Sequence, residues 1–115
     1  MKTMEEILAR ARIVGEKAHV DAVPDPTEEG YRMWKEDLLT YFGCAADNFL
    51  SENPAEEIHD KILMAMQEGF SKLVLSQPFV DVPLNPMGTP PRIREIQIIG
   101  EVFSELKTIP HHCTH

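Results

Sequence analysis

The chain has 115 residues, of which 43 % are hydrophobic and 26 % are charged, and its formal net charge is -8. This composition is typical of one globular domain and excludes collagen-like, low-complexity and disulfide-scaffold chains. The acidic balance also argues against direct binding of nucleic acid, because neutralising phosphates requires clustered Lys and Arg.

The sequence predicts a cytoplasmic protein that neither carries a signal peptide nor spans a membrane. Glu5 and Glu6 stand where a signal peptide needs an apolar run, and nowhere do 18 apolar residues follow one another. Cys44 and Cys113 lie far apart without the spacing of a disulfide framework. Two reduced thiols are the corresponding expectation.

The first predicted helix runs from about Met4 to His19. Thr3 and Glu6 form a capping-box pattern, and apolar residues then recur at spacings of three and four. The prolines at positions 24 and 26 cannot continue a helix, so residues 21–26 are predicted to be a linker.

The second predicted helix begins after Thr27 and extends to about Leu50. Thr27 is a hydroxyl cap, and the acidic first turn suits a helix N-terminus. One face carries most of the aromatic side chains of the protein and is expected to anchor the core: Tyr31, Trp34, Leu38, Tyr41, Phe42, Ala45 and Phe49. Gly43 within this helix is a candidate for a kink.

The third predicted helix starts at Asn53-Pro54, with Glu56 three residues after the Asn cap, and continues to about Ser76. Its apolar residues repeat at helical spacing. A helix of this length exceeds what one compact domain of 115 residues needs. We therefore expect part of it to protrude or to contact a partner.

A proline-rich connector, residues 78–91, separates the third and fourth helices. It contains five of the nine prolines and is predicted to be extended. Its apolar side chains either pack over the helices or are presented to a partner. The candidate partner-binding residues are Phe79, Val82, Leu84 and Met87.

The fourth predicted helix begins at Thr89-Pro90 and ends near Ile109-Pro110. The predicted fold is therefore all-α: a bundle-like domain of four helices, with a long proline-rich extended connection before the last one. Residues 1–110 form the single helical domain, and residues 111–115 form a short tail with the metal-ligand types His and Cys. Weak, incidental metal binding at a frayed terminus is the simplest interpretation of this tail.

Acidic residues are concentrated in the first half of the chain. From Glu36 to Asp60 there are seven acids and neither Lys nor Arg. Such a segment is either a solvated face or a negative surface that attracts a basic protein partner. An inhibitor that imitates the charge of nucleic acid is one form of the second alternative.

A candidate metal site lies at the start of the third helix, where Glu56 and His59 have the i, i+3 spacing of ligands in di-metal bundles and Asp60 follows. Glu16 and His19 repeat the spacing, but Glu16 lies opposite the apolar stripe of its helix. Glu57-x-x-Asp60 resembles part of the magnesium-binding pattern of all-α nucleoside triphosphate pyrophosphohydrolases. This resemblance implies helical carboxylates that hold Mg²⁺ on substrate phosphates, but the Glu-Glu-x-x-Glu half of the pattern is absent upstream.

No complete catalytic or cofactor motif appears: the sequence contains no Gly-rich phosphate loop, no nucleophile elbow and no Cys-x-x-Cys pair. We therefore expect a non-enzymatic cytoplasmic interaction or accessory protein without a cofactor, acting as a homodimer. The alternatives are a metal-dependent helical enzyme, of the di-metal or nucleotide-hydrolase type, and the acidic inhibitor.

Overall fold

The computed structural model describes residues 3–25, 27–52, 56–77 and 92–108. Four helices pack against one another, and the described residues contain no strand, so the all-α, bundle-like prediction is confirmed. The helices are α1 (Met4–Glu16), α2 (Glu28–Glu52), α3 (Glu56–Leu75) and α4 (Ile93–Thr108).

The structure contains the hydroxyl caps that the sequence indicates at the starts of α1 and α2. The Thr3 Oγ1 atom accepts a hydrogen bond from the Glu6 N–H at 3.2 Å, and the Thr27 Oγ1 atom accepts one from the Gly30 N–H at 2.9 Å. Each hydroxyl therefore satisfies a backbone donor that the first helical turn leaves free. The caps proposed at Asn53 and Thr89 lie outside the described residues.

Several helix boundaries differ from the predictions. The first helix ends at Glu16 rather than His19, because the backbone leaves the helical region at Lys17. The fourth begins at Ile93 rather than Thr89, since the residue before it, Arg92, has a φ of 79° that an α-helix cannot contain. By contrast, α2 runs without a break through the buried Gly43.

Ion pairs show that two pairs of helices run in the same direction. Arg12 and Glu68 pair between α1 and α3, and so do Glu16 and Lys72; both pairs are separated by 56 residues. Between α2 and α4, the same separation of 66 residues joins Glu28 to Arg94 and Lys35 to Glu101. In each of these helix pairs, the residue numbers of the two partners rise together from one ion pair to the next. The two helices of each pair are therefore parallel.

Other contacts show that consecutive helices run in opposite directions. The Arg92 side chain, just before α4, donates a hydrogen bond to the Gln77 carbonyl just after α3, at 3.4 Å. Arg10, in the middle of α1, lies over the ring of Phe49 near the end of α2. Asp21, which follows α1, accepts a hydrogen bond at 2.7 Å from the indole of Trp34 near the start of α2. The chain therefore alternates direction from helix to helix.

The core is built around Phe42 of α2, as the aromatic face predicts. The Phe42 ring centroid lies 5.1 Å from that of Phe70 on α3 and 5.0 Å from that of Phe103 on α4. The Trp34 ring centroid lies 6.2 Å from that of Phe70. These side chains are almost fully buried, and aromatic pairs at such distances contribute about 0.5–1.5 kcal/mol each beyond their burial.

Two glycines allow α1 and α3 to approach at backbone distance. A Cβ atom added to Gly15 would lie 2.2 Å from the Met66 carbonyl oxygen, and one added to Gly69 would lie 2.1 Å from the Arg12 carbonyl oxygen. Any side chain at either position would force the helices apart. This contact joins α1 to the rest of the domain.

We expect Gly69→Ala to lower the free energy of unfolding by about 1–3 kcal/mol, because the added methyl group overpacks a rigid backbone contact. The matched control is Gly100→Ala in α4, where an added Cβ meets nothing within 4 Å. This control should raise stability by about 0.5–1 kcal/mol through the entropy of the unfolded chain. Urea unfolding followed by circular dichroism measures both, and equal effects of the two variants would contradict the close approach.

Candidate functional site

Of the predicted metal ligands on α3, the structure describes the side chains of His59 and Asp60. The His59 side chain is partly buried, and its Nε2 atom is buried without a hydrogen-bond partner, whereas Asp60 is exposed. The side chains of Glu56 and Glu57 lie outside what the structure describes. Among the described residues, no group of three or more His, Cys, Asp or Glu is placed to hold a metal ion.

The second Glu-x-x-His pair is not on one helix face. Because α1 ends at Glu16, His19 lies beyond the helix and is exposed. The Glu16 carboxylate instead lies 3.8 Å from the Lys72 ammonium on α3. The spacing that suggests a ligand pair therefore belongs to a helix end and an interhelical ion pair.

The partner-binding residues proposed in the connector, Phe79, Val82, Leu84 and Met87, lie outside the described residues. The two residues that flank the connector do lie together, because the Arg92 guanidinium donates to the Gln77 carbonyl. The Gln77 N–H in turn donates to the Val74 carbonyl at 3.2 Å. The chain therefore leaves and re-enters the helical domain at one place.

An apolar groove follows the outer face of α3. Met64 is 50 % exposed and Leu75 is 58 % exposed, and together with Gln67, Glu68, Ser71 and Lys72 they line a groove of about 550 Å³. The expectation that part of the third helix protrudes or contacts a partner stays a prediction. The aromatic face of α2 offers no such surface, since Trp34, Phe42 and Phe49 are buried within the chain.

A second, larger groove lies between α1 and α2 and has a volume of about 1180 Å³. Its apolar lining includes Val14, Val20 and Phe49, and Asp37 and Cys44 contribute polar groups. Ligand pockets for small molecules are usually about 300–1,000 Å³. The volume of this groove lies just above that range.

Cys44 in this groove is disulfide-bonded. The expectation of two reduced thiols is therefore wrong for this residue. Sequence spacing could not reveal the bond, because a disulfide depends on the distance between two Cα atoms in the fold and not on the number of residues between them. Cys113 is outside the described residues.

Arg32 neutralises part of the negative charge at the start of the acidic segment. The Arg32 guanidinium donates to the Glu36 carboxylate at 2.9 Å and also pairs with Glu29. The hydrogen bond and charge of Arg32 hold the pKa of Glu29 below its usual value. Asp37, which lines the α1–α2 groove, is exposed to solvent.

A polar cluster that the sequence pattern did not indicate joins the beginnings of α2 and α4. Both Arg94 guanidinium nitrogens Nη1 and Nη2 donate to the Glu28 carboxylate, at 2.9 and 2.8 Å, and the guanidinium carbon lies 4.2 Å from the Tyr31 ring centroid. The Tyr31 hydroxyl donates to the buried Glu95 carboxylate at 3.3 Å. Burial, followed by the charge of Glu95, raises the pKa of Tyr31.

The contacts of this cluster join the first turn of α2 to the first turn of α4. Glu28 has its pKa lowered, first by the hydrogen bond from Arg94 and then by its charge. No helix among the described residues is both long and apolar enough to cross a membrane. No family model, no curated protein and no solved structure matches the chain.

We expect Glu28→Gln to destabilise the protein at pH 7, with an effect that disappears in acid. The folded-state pKa of Glu28 lies below its unfolded value of 4.5, so its contribution is present above pH 4.5 and is lost as the pH falls through the lower, folded pKa. Urea midpoints of wild type and variant between pH 7 and pH 2 measure this. A difference that persists undiminished at the acidic end would contradict the Arg94 pairing.

We expect His59→Leu to leave stability unchanged or to raise it by about 1 kcal/mol, because the substitution removes a buried imidazole nitrogen that has no partner. Thermal unfolding of both proteins, with and without a chelator, measures the effect. If a metal ion bound His59, the chelator would instead lower the melting temperature of the wild type only.

Proposed function

We propose that this protein is a non-enzymatic interaction module that forms a homodimer through the outer face of α3. The observation that supports the proposal is the apolar groove on that face. Met64 and Leu75 are both at least half exposed in the single chain. Exposed apolar patches with polar rims are typical of sites where proteins associate.

The spacing along α3 suits a helix-to-helix contact. At 100° per residue, Met64, Ser71 and Leu75 fall within about 40° of one line along the helix, and the two apolar ends are about 16 Å apart. Ser71 between them is small and would allow a second helix to approach. In a twofold pair with antiparallel α3 helices, Met64 would pack against the partner's Leu75, which is the self-complementary arrangement that such symmetry requires.

The rim of the groove is polar, and two of its side chains form ion pairs with α1. Glu68 accepts a hydrogen bond from Arg12 at 3.2 Å, and Lys72 pairs with Glu16. Both interactions join these side chains to α1. The groove therefore has a charged rim on the side that faces α1.

We further propose that the proline-rich connector binds a second partner, through Phe79, Val82, Leu84 and Met87. The hydrogen bond between Arg92 and Gln77 supports this role, because it holds the flanking residues of a 14-residue segment together. A loop anchored in this way loses less conformational freedom when it binds. The net charge of -8 makes a basic protein the better complement.

We propose the cytoplasm as the location of this module. Disulfides in that reducing compartment are mostly transient or redox-sensing. We therefore propose that the bond at Cys44 is reversible.

We expect the wild-type chain to sediment at micromolar concentration with twice its mass of 13.1 kDa. The double variant Met64→Glu, Leu75→Glu should sediment as a monomer, with a dissociation constant raised about 10³-fold, since like charges would meet across the twofold axis. Sedimentation equilibrium measures both masses.

Two controls separate this face from other exposed apolar residues. Met33 on α2 is 52 % exposed and lies outside the groove, so Met33→Glu should remain dimeric. Leu84→Asp, in the connector, should also remain dimeric. A monomeric wild type, or a double variant that keeps the dimer mass, would refute the proposed interface.

A further inference from the structure

Two oppositely charged side chains border the groove on α3, and both extend into solvent. The side chains of Glu68 and Lys72 line the groove and are 61 % and 79 % exposed. They are one helical turn apart. At 100° per residue, they lie about 40° and about 80° to the same side of a line along α3 through Met64. The apolar strip of the groove therefore has a negative and a positive charge along one edge.

Each of these two charges has a partner on α1 and can still bind a second one. Arg12 donates to the Oε2 atom of Glu68 at 3.2 Å, and the other oxygen of a carboxylate can accept a further hydrogen bond. The Lys72 ammonium lies 3.8 Å from the Glu16 carboxylate, which is too far for a hydrogen bond. Its N–H groups can therefore donate to an acceptor on another molecule.

An antiparallel twofold pair of α3 helices brings these charges together across the two copies. When Met64 packs against the partner's Leu75, the twofold axis passes midway between these two positions. Glu68 lies about 1.5 residues before the midpoint and Lys72 about 2.5 residues after it, so Glu68 and the partner's Lys72 differ by about 1.5 Å along the helix axis. The same symmetry keeps both charged edges on one side of the apolar strip. A carboxylate therefore faces an ammonium twice.

From this geometry we propose that Glu68 and Lys72 restrict the partner of α3 to an antiparallel second copy of this chain, through two symmetry-related ion pairs that join Glu68 of each copy to Lys72 of the other. This inference rests on the homodimer proposed above. Together with the pairs to α1, it gives a row of charges across the interface whose sign alternates: Arg12, Glu68, the partner's Lys72 and the partner's Glu16. Such a network contributes more than an isolated surface ion pair does.

The same two residues disfavour a parallel pair. A twofold axis along the helices would place the charged edges of the two copies on opposite sides of the apolar strip, so Glu68 would no longer face Lys72. Each residue would instead lie level with its own counterpart in the partner. In coiled coils, charge pairs beside the apolar seam determine partner choice and helix orientation in this way. Glu68 and Lys72 therefore determine the orientation of the dimer, whereas Met64 and Leu75 supply its apolar contact.

The test uses two charge reversals in the full chain, Glu68→Lys and Lys72→Glu. Each variant alone has two contacts between like charges at the interface, so its dimer dissociation constant should rise about 10- to 100-fold over that of the wild type. In a heterodimer of the two variants, both contacts again join opposite charges. Sedimentation equilibrium at a concentration where each variant alone is monomeric should therefore find dimers in a 1:1 mixture. A folding defect in either variant would not be corrected by mixing.

Lys107→Glu on α4 is the matched control, because it changes the net charge by the same amount as Lys72→Glu at an exposed residue outside the groove. Its dissociation constant should stay within about threefold of the wild-type value, since salt screens exposed charges that lie far from an interface. A monomeric wild type would overturn both the homodimer and this inference. A dimeric wild type would overturn the inference alone if the two reversals behaved like the control, or if their 1:1 mixture stayed monomeric.

Discussion

The contact of Phe42 with Phe70 and Phe103 is the interaction on which the arrangement of three helices depends. Each ring comes from a different helix, and all three are almost fully buried. Helices that pack through a dense core cannot shift gradually along one another, because their side chains interdigitate. Once Phe42 is seated between the other two rings, α2 has one position along α4. The bidentate pair of Glu28 with Arg94 then forms at the same register, near the helix starts.

That register has consequences far from the core. It brings the beginning of α4 to the end of α3, where Arg92 reaches Gln77. The two residues that flank the connector are therefore brought together by the same packing. A shift of α4 by one turn would move Arg92 by about 5 Å relative to Gln77.

The first helix is held in two ways, because backbone contact at two glycines adds to the packing of its buried side chains Ile7 and Ala11. Gly15 and Gly69 bring α1 close to α3, and the Arg12–Glu68 and Glu16–Lys72 pairs flank the contact. Because α1 packs closely on α3, a groove of about 1180 Å³ lies between α1 and α2. A helix that filled the space between both neighbours would have left no such surface. The two glycines thus shape the groove as well as the fold.

The sequence by itself determined the class of fold, the helices and the aromatic face that forms the core, because helical periodicity and caps such as Thr3 and Thr27 are local signals. It also indicated the proline-rich connector. Only the tertiary structure decided that α1 packs in parallel on α3, that Cys44 is disulfide-bonded, and that Glu16 pairs with Lys72 rather than forming a ligand pair with His19. These features depend on distances between residues remote in sequence, and a local pattern contains no information about such distances.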